Sequence, residues 1–145
     1  MRSLLMATLI SMSATASAGT LYTVGSGCMG QAPEDTTIGY STITNAGTST
    51  QALDCPLESY YRPSSVSGYV YDSSSSSSVA CYVCYHYGST TYCGASTSSS
   101  SSGTGYSWLT PSWSSSTTSS STGGFYLGCS VPAGSGISNV TWYQR

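Results

Sequence analysis

VACYVCYHYGSTTYCG, residues 79–94, carries three of the six cysteines and the turn that sets their geometry. Successive side chains of an extended strand face opposite ways. Val79, Cys81, Val83 and Tyr85 therefore share one face, and Ala80, Tyr82, Cys84 and His86 the other. Cys81 and Cys84 diverge and cannot bond to each other. Gly88-Ser89 is a Gly-X pair that fits a two-residue type II′ hairpin turn. Such a turn pairs Tyr87 with Thr90, His86 with Thr91, Tyr85 with Tyr92 and Cys84 with Cys93. The last is a non-hydrogen-bonded pair, close enough for a disulfide. Cys129 shares its parity with Phe125, Leu127 and Val131, as Cys81 does with Val79 and Val83. A Cys81–Cys129 bond would cross the core, between or within sheets, and Cys28–Cys55 remains. This is one of the fifteen connectivities open to six cysteines.

The same pattern extends outward. No segment after residue 18 sustains apolar residues at helical spacing, and β-branched and Tyr-rich runs alternate with Gly, Ser, Thr and Pro clusters. Strands are expected at Leu21–Ser26, Thr37–Thr44, Gln51–Cys55, Ser67–Asp72, Val79–Tyr87, Thr90–Gly94, Tyr106–Leu109, Gly124–Val131 and Ile137–Tyr143. The expected fold is all-β, a two-sheet antiparallel sandwich of jelly-roll or immunoglobulin-like type. Its core draws on Val70, Val79, Val83, Phe125, Leu127, Val131, Val140, Trp142 and some of the 13 Tyr. The runs Ser73–Ser78, Ser96–Ser102 and Ser112–Thr122 read first as solvent loops. Edge strands and O-glycosylated coats are the other two readings.

Composition sets the compartment. Ser and Thr make up over a third of the 145 residues, charged residues 6%, and Lys is absent. Three Arg cannot supply a phosphate-binding footprint, so nucleic acid is not an expected partner. Residues 1–18, MRSLLMATLISMSATASA, read as a signal peptide ending in Ala16-Ser17-Ala18, with retention as an N-terminal strand as the competing reading. Residues 19–145 then form a single β-sandwich domain with no segment long enough to span a bilayer as a helix. This domain holds Arg62 and Arg145 against Glu34, Asp35, Asp54, Glu58 and Asp72. An even cysteine count behind a signal peptide points to disulfides and to a secreted, extracellular or cell-surface location.

Catalytic and metal chemistry find little footing. Cys81-x-x-Cys84-x-His86 with Cys93 has zinc-like spacing, but Tyr82-Val83 is strand material where a knuckle needs a tight turn. A serine hydrolase would need His86 as base, with Asp72 or Asp54 to orient it, and no G-x-S-x-G elbow is present. Glu34-Asp35 diverge too far for paired-carboxylate chemistry and lack a calcium-loop motif. Neither an enzyme nor a cofactor is expected. Gly25-Ser26-Gly27 and Gly134-Ser135-Gly136 read as flexible turns. Asn139-Val140-Thr141 is an N-glycosylation sequon in a eukaryotic host.

Val66–Tyr71, Val79-Ala80-Cys81, Cys55-Pro56 and the run Tyr126-Leu127-Gly128-Cys129-Ser130-Val131-Pro132 resemble small secreted β-sandwich proteins of Gram-negative bacteria. The resemblance covers about two-thirds of residues 19–145 and brings no activity or site residue; Cys84 and Cys93 stand as an addition to it. A self-associating structural subunit of a filament or coat is expected from the missing catalytic set, the low charge and strand edges that Lys does not protect, with extracellular fibres of small sandwiches as an analogy. In that expectation Leu21, Tyr22, Thr23 and Val24 add as a strand to a neighbouring copy. The alternative partner is a glycan, stacked on Trp108, Trp113, Tyr60 and Tyr61, with Tyr69 and Tyr71 as further rings.

Overall fold

The computed structural model describes residues 20–59, 61–100, 104–114 and 123–144. Residues 1–19, which include the expected signal peptide, and Tyr60 lie outside them. The hairpin forms as its turn chemistry dictates. β7 (Ala80–Tyr87) and β8 (Thr90–Cys93) pair in the register Cys84/Cys93, Tyr85/Tyr92, His86/Thr91 and Tyr87/Thr90. Gly88 takes a φ of 60° and Ser89 no positive φ, as a type II′ turn requires.

Two antiparallel sheets build the molecule. In the first, β10 (Gly105–Leu109), β6 (Ser65–Asp72), β12 (Gly136–Tyr143), β4 (Ile43–Asn45) and β3 (Thr36–Ile38) follow one another, and β1 (Thr20–Val24) also pairs with β12. In the second, β2 (Met29–Gly30), β5 (Gln51–Leu57), β11 (Gly124–Val131), β7 and β8 follow in order, and β9 (Thr97–Ser98) pairs with β7.

Alternation sends Val66, Gly68 and Val70 of β6 inward to meet Phe125, Leu127 and Cys129 of β11. The sheets approach closely there: a Cβ on Gly68 would lie 2.8 Å from Leu127 Cδ2. Each fully buried Leu or Val in this layer stabilises the fold by about 1.5–3 kcal/mol.

All three disulfides join as expected: Cys84–Cys93 from the hairpin register, Cys81–Cys129 from shared parity and Cys28–Cys55 as the remaining pair. Cys81 lies directly opposite Cys129 on neighbouring strands, so that bond runs within a sheet and not between sheets. Met29 pairs with Asp54, which carries Cys28 alongside Cys55. The three bonds thus tie β5 to the segment leading into β2, β7 to β11, and β7 to β8, all in the second sheet.

Several expectations need correction. Thr37–Thr44 is two strands, β3 and β4, because the chain reverses after Gly39, whose N–H bonds to Thr42 O at 2.8 Å. The core is aliphatic and cysteine-rich: Tyr85 is the one tyrosine buried among those described, and Ile43, Leu53, Leu57, Val66, Leu109 and Ile137 join the expected set. Ser96–Ser102 includes the short strand β9, the edge-strand alternative for a serine run. Gly134-Ser135-Gly136 is no loose turn, since Ser135 is fully buried.

Ser135 belongs to a polar knot. Alternation along β6 also turns Asp72 inward, where it is 1% exposed. Its carboxylate accepts the N–H of Ser74 at 2.9 Å, the N–H of Val79 at 3.2 Å and the hydroxyls of Ser99 and Ser135. The first residues of a run read as solvent loop are therefore pinned to a buried anion. Asn45 makes a second knot. Its amide donates to Ser49 O and Val131 O, each at 2.8 Å, and its carbonyl accepts from Gly47 N and Gln51 Nε2. The Val131 bond joins the first sheet to the second.

Candidate functional site

Three surfaces carry the residues singled out by the sequence. The first is the edge of the first sheet at β1. Its backbone pairs antiparallel with β12 from Thr20↔Tyr143 through Val24↔Asn139. Among the described residues, no strand pairs with the other edge of β1. A three-residue 3-10 turn, Gly25–Gly27, separates β1 from the stapled Cys28. The segment expected to add to a neighbour thus lies in its own sheet.

The second surface is the outer face of β6 and β10. Cross-strand pairing sets Tyr106 opposite Tyr71 and Trp108 opposite Tyr69. The rings form a column: Tyr71–Tyr106 centroids are 5.0 Å apart, Tyr106–Tyr69 5.3 Å and Tyr69–Trp108 4.9 Å. Tyr106 and Trp108 are each more than half exposed. Tyr69 and Tyr106 are stacked, 20° from parallel, whereas Tyr71–Tyr106 and Tyr69–Trp108 are tilted by 43° and 32°. Trp113 is elsewhere: the segment after β10 passes over Gly94, and the Trp113 ring packs edge-on against Phe125, 5.7 Å between centroids. Trp108 and Trp113 therefore do not share a platform. Trp142 is core, and Tyr61 is exposed. Tyr69 and Tyr71 join Trp108 as the sequence allowed, whereas Tyr106 was missed; its place two residues before Trp108 on one strand was the available signal.

The third surface is the outer face of the second sheet. One row across β2, β5, β11 and β7 reads Met29, Asp54, Gly128, Tyr82; the next, across β5, β11 and β7, reads Pro56, Tyr126, Cys84. His86 lies one pair further, opposite Gly124 and Thr91. Burial pushes the Asp54 carboxyl above its ordinary value, with His86 pulling weakly the other way. Burial, with Asp54 nearby, also raises the Tyr82 and Tyr126 hydroxyls.

The catalytic and metal alternatives meet a different geometry. Asp72 is held inside by Ser99 and Ser135, while His86 is exposed on the outer face of the other sheet, so those two do not form a dyad; Asp54, the other candidate, borders the same cleft as His86, on the opposite side of the Tyr126 row. Cys81, Cys84 and Cys93 are all in disulfides, so the zinc-like spacing offers no thiolate. Glu34 and Asp35 sit exposed in the 3-10 turn Pro33–Asp35. Among the described residues, no helix is long and apolar enough to cross a membrane. Three disulfides fit an oxidising environment.

Comparison with known proteins returned no family model, no curated protein and no solved structure that matches this chain.

Proposed function

We propose that this is a secreted, non-enzymatic structural protein of an extracellular filament or coat, whose copies join by addition of the N-terminal strand. One observation carries this reading: β1 is an edge strand whose sheet pairing, among the described residues, is the five-residue register with β12. The β1 of another copy could make the same main-chain bonds to β12, with the short turn Gly25–Gly27 as the hinge. The absence of Lys supports it, because Lys is a common guard against edge-to-edge pairing.

Size-exclusion chromatography and negative-stain microscopy test the reading on protein beginning at Gly19 and at Cys28. The longer form is expected to assemble; the shorter one is expected to stay monomeric and to bind a synthetic peptide of residues 19–27. A longer form that remains strictly monomeric at high concentration, with no change on removal of β1, refutes it.

A glycan-binding role is the second reading, favoured by the exposed Trp108 at the end of the ring column. One ring face of Trp108 is turned to Tyr69, which leaves the other for a pyranose. A glycan array comparing the protein with Trp108→Ala separates this role from assembly.

A further inference from the structure

A shallow cleft of about 250 Å³ opens on the outer face of the second sheet, bordered by Met29, Asp54, Pro56, His86, Phe125 and Tyr126. Its floor and walls are mainly apolar, and Asp54 is their one carboxylate. This side chain is partly buried and receives no hydrogen bond from the described residues; burial raises its carboxyl, and His86, on the border of the same cleft, acts the other way. A carboxylate withdrawn from water without a donor is costly unless something else supplies one.

Gly128 makes room for this arrangement. A Cβ there would lie 2.4 Å from the Tyr82 ring and 3.0 Å from Asp54 Oδ1, so the ring and the carboxylate close over a position without a side chain. Tyr126 stands on the next row. His86 stacks on one face of it, with centroids 5.2 Å apart and planes 19° from parallel, and His86 Nδ1 is held to Thr91 Oγ1 at 2.7 Å. The imidazole thus braces one face of Tyr126, and both rings border the cleft.

We propose that this cleft binds an organic ammonium group, held by the Asp54 carboxylate and the Tyr126 ring, with its carbon substituents against Met29 and Pro56. The charge is complementary, the electron-rich ring attracts a cation, and the apolar walls accept alkyl carbon. The chain has no Lys, and among the described residues no Arg lines the cleft, so these residues bring no ammonium or guanidinium to Asp54. A divalent metal fits poorly, because Asp54 and His86 lie on rows either side of Tyr126 and do not converge. An anion would meet the carboxylate.

The site is on the sheet opposite to β1 and stands or falls apart from strand addition. The test is titration of the oxidised protein, followed by NMR, with tetramethylammonium and n-butylammonium at constant ionic strength. tert-Butanol serves as the neutral control of similar shape. Saturable shifts confined to Asp54, Tyr82, Tyr126 and their neighbours are expected with the cations and not with the alcohol. Asp54→Asn should weaken binding by roughly tenfold or more while leaving the rest of the amide spectrum in place. Tyr126→Leu should weaken it independently. Two sources of such a group are distinguished by choline and by Nα-acetyl-lysine methylamide: tighter binding of the first points to a trimethylammonium headgroup, of the second to a lysyl side chain, and each supports the site. No shift at millimolar cation, an equal response to tert-butanol or a methyl glucoside, or binding untouched by Asp54→Asn overturns it.

Discussion

Replacing Asp72 by Asn keeps the shape of a buried carboxylate and exchanges one oxygen for a nitrogen that donates. Oδ1 accepts from Ser74 N–H at 2.9 Å; Oδ2 accepts from Val79 N–H at 3.2 Å and from the Ser99 hydroxyl. With nitrogen in the Oδ1 position the Ser74 N–H faces another donor; in the Oδ2 position the Val79 N–H keeps Ser99 Oγ at 2.9 Å, but the Ser99 hydroxyl loses its acceptor. One stranded donor costs about 1–3 kcal/mol, and losing the ionic character of the surviving bonds adds about 1 kcal/mol. The expected loss at pH 7 is therefore about 2–4 kcal/mol, a large part of the roughly 5–15 kcal/mol that holds a typical domain. The pH dependence has a definite sign. Burial works to raise the Asp72 carboxyl, but hydrogen bonds from Ser99, Ser74, Val79 and Ser135 outweigh it and hold it below its ordinary value. A lowered folded-state value stabilises above the unfolded pKa, about 3.9, and that contribution fades as pH falls through the folded value. Asn does not titrate, so the gap between the two proteins should be widest at neutral pH and narrow in acid. Asp54, raised by burial, contributes with the opposite sign, but it is present in both proteins and drops out of the difference. Urea unfolding of the oxidised proteins from neutral pH into acid, followed by Trp fluorescence, measures the gap. A difference below about 0.5 kcal/mol at pH 7, or one independent of pH, would refute the assignment of Asp72 as a charged anchor.

Removing the Cys81–Cys129 pair, whose partners are 48 residues apart, should cost about 4 kcal/mol by loop entropy; removing Cys84–Cys93, 9 apart, about 3 kcal/mol; denaturant midpoints of the two double Ser variants give the order. Leu127→Ala should lose about 2–5 kcal/mol, and Gly68→Ala should destabilise by collision with Leu127; the double variant should lose less than their sum in a denaturant cycle, because the new methyl enters the vacated space. Asn45→Ala strands two carbonyls and two donors and should cost about 2 kcal/mol or more in the same assay. Trp108→Ala touches exposed surface and should shift stability by under about 1 kcal/mol in thermal unfolding, so any loss of glycan binding would not be a folding effect.

Parity and turn chemistry are local, and what they determine was legible. Gly88-Ser89 set the four hairpin pairs, and the alternation around Cys81 and Cys129 placed both on the inner face. Whether the Cys81–Cys129 bond lies in one sheet depends on which strands are neighbours, and pairing between β7 and β11, some forty residues apart, leaves no local mark. The β3–β4 turn carried a signal in Gly39, but the β-branched and tyrosine residues on both sides of it made Thr37–Thr44 read as a single strand. The Asp72 knot was hidden for another reason: Ser74, Ser99 and Ser135 look like their many exposed counterparts, and only the inward parity of Asp72 distinguishes them. At the sites, Trp108 and Trp113 are five residues apart in sequence, yet the chain crosses from one sheet to the other between them. Asp54, Tyr82 and Tyr126 come from three strands and meet only through the sheet register.

The disulfides are all in one sheet, while Thr20 and Tyr143 face each other in the other. This division has a mechanical consequence. Tension applied at those two residues would open β1 from β12 one hydrogen bond at a time, like a zipper, and would reach the covalent staples only after β1 had peeled away as far as Cys28. If β1 instead came from a neighbouring copy, a pull along the strand axis would load all five of its pairs together in shear. The same strand would be an easily opened latch within one molecule and a firm coupling between two.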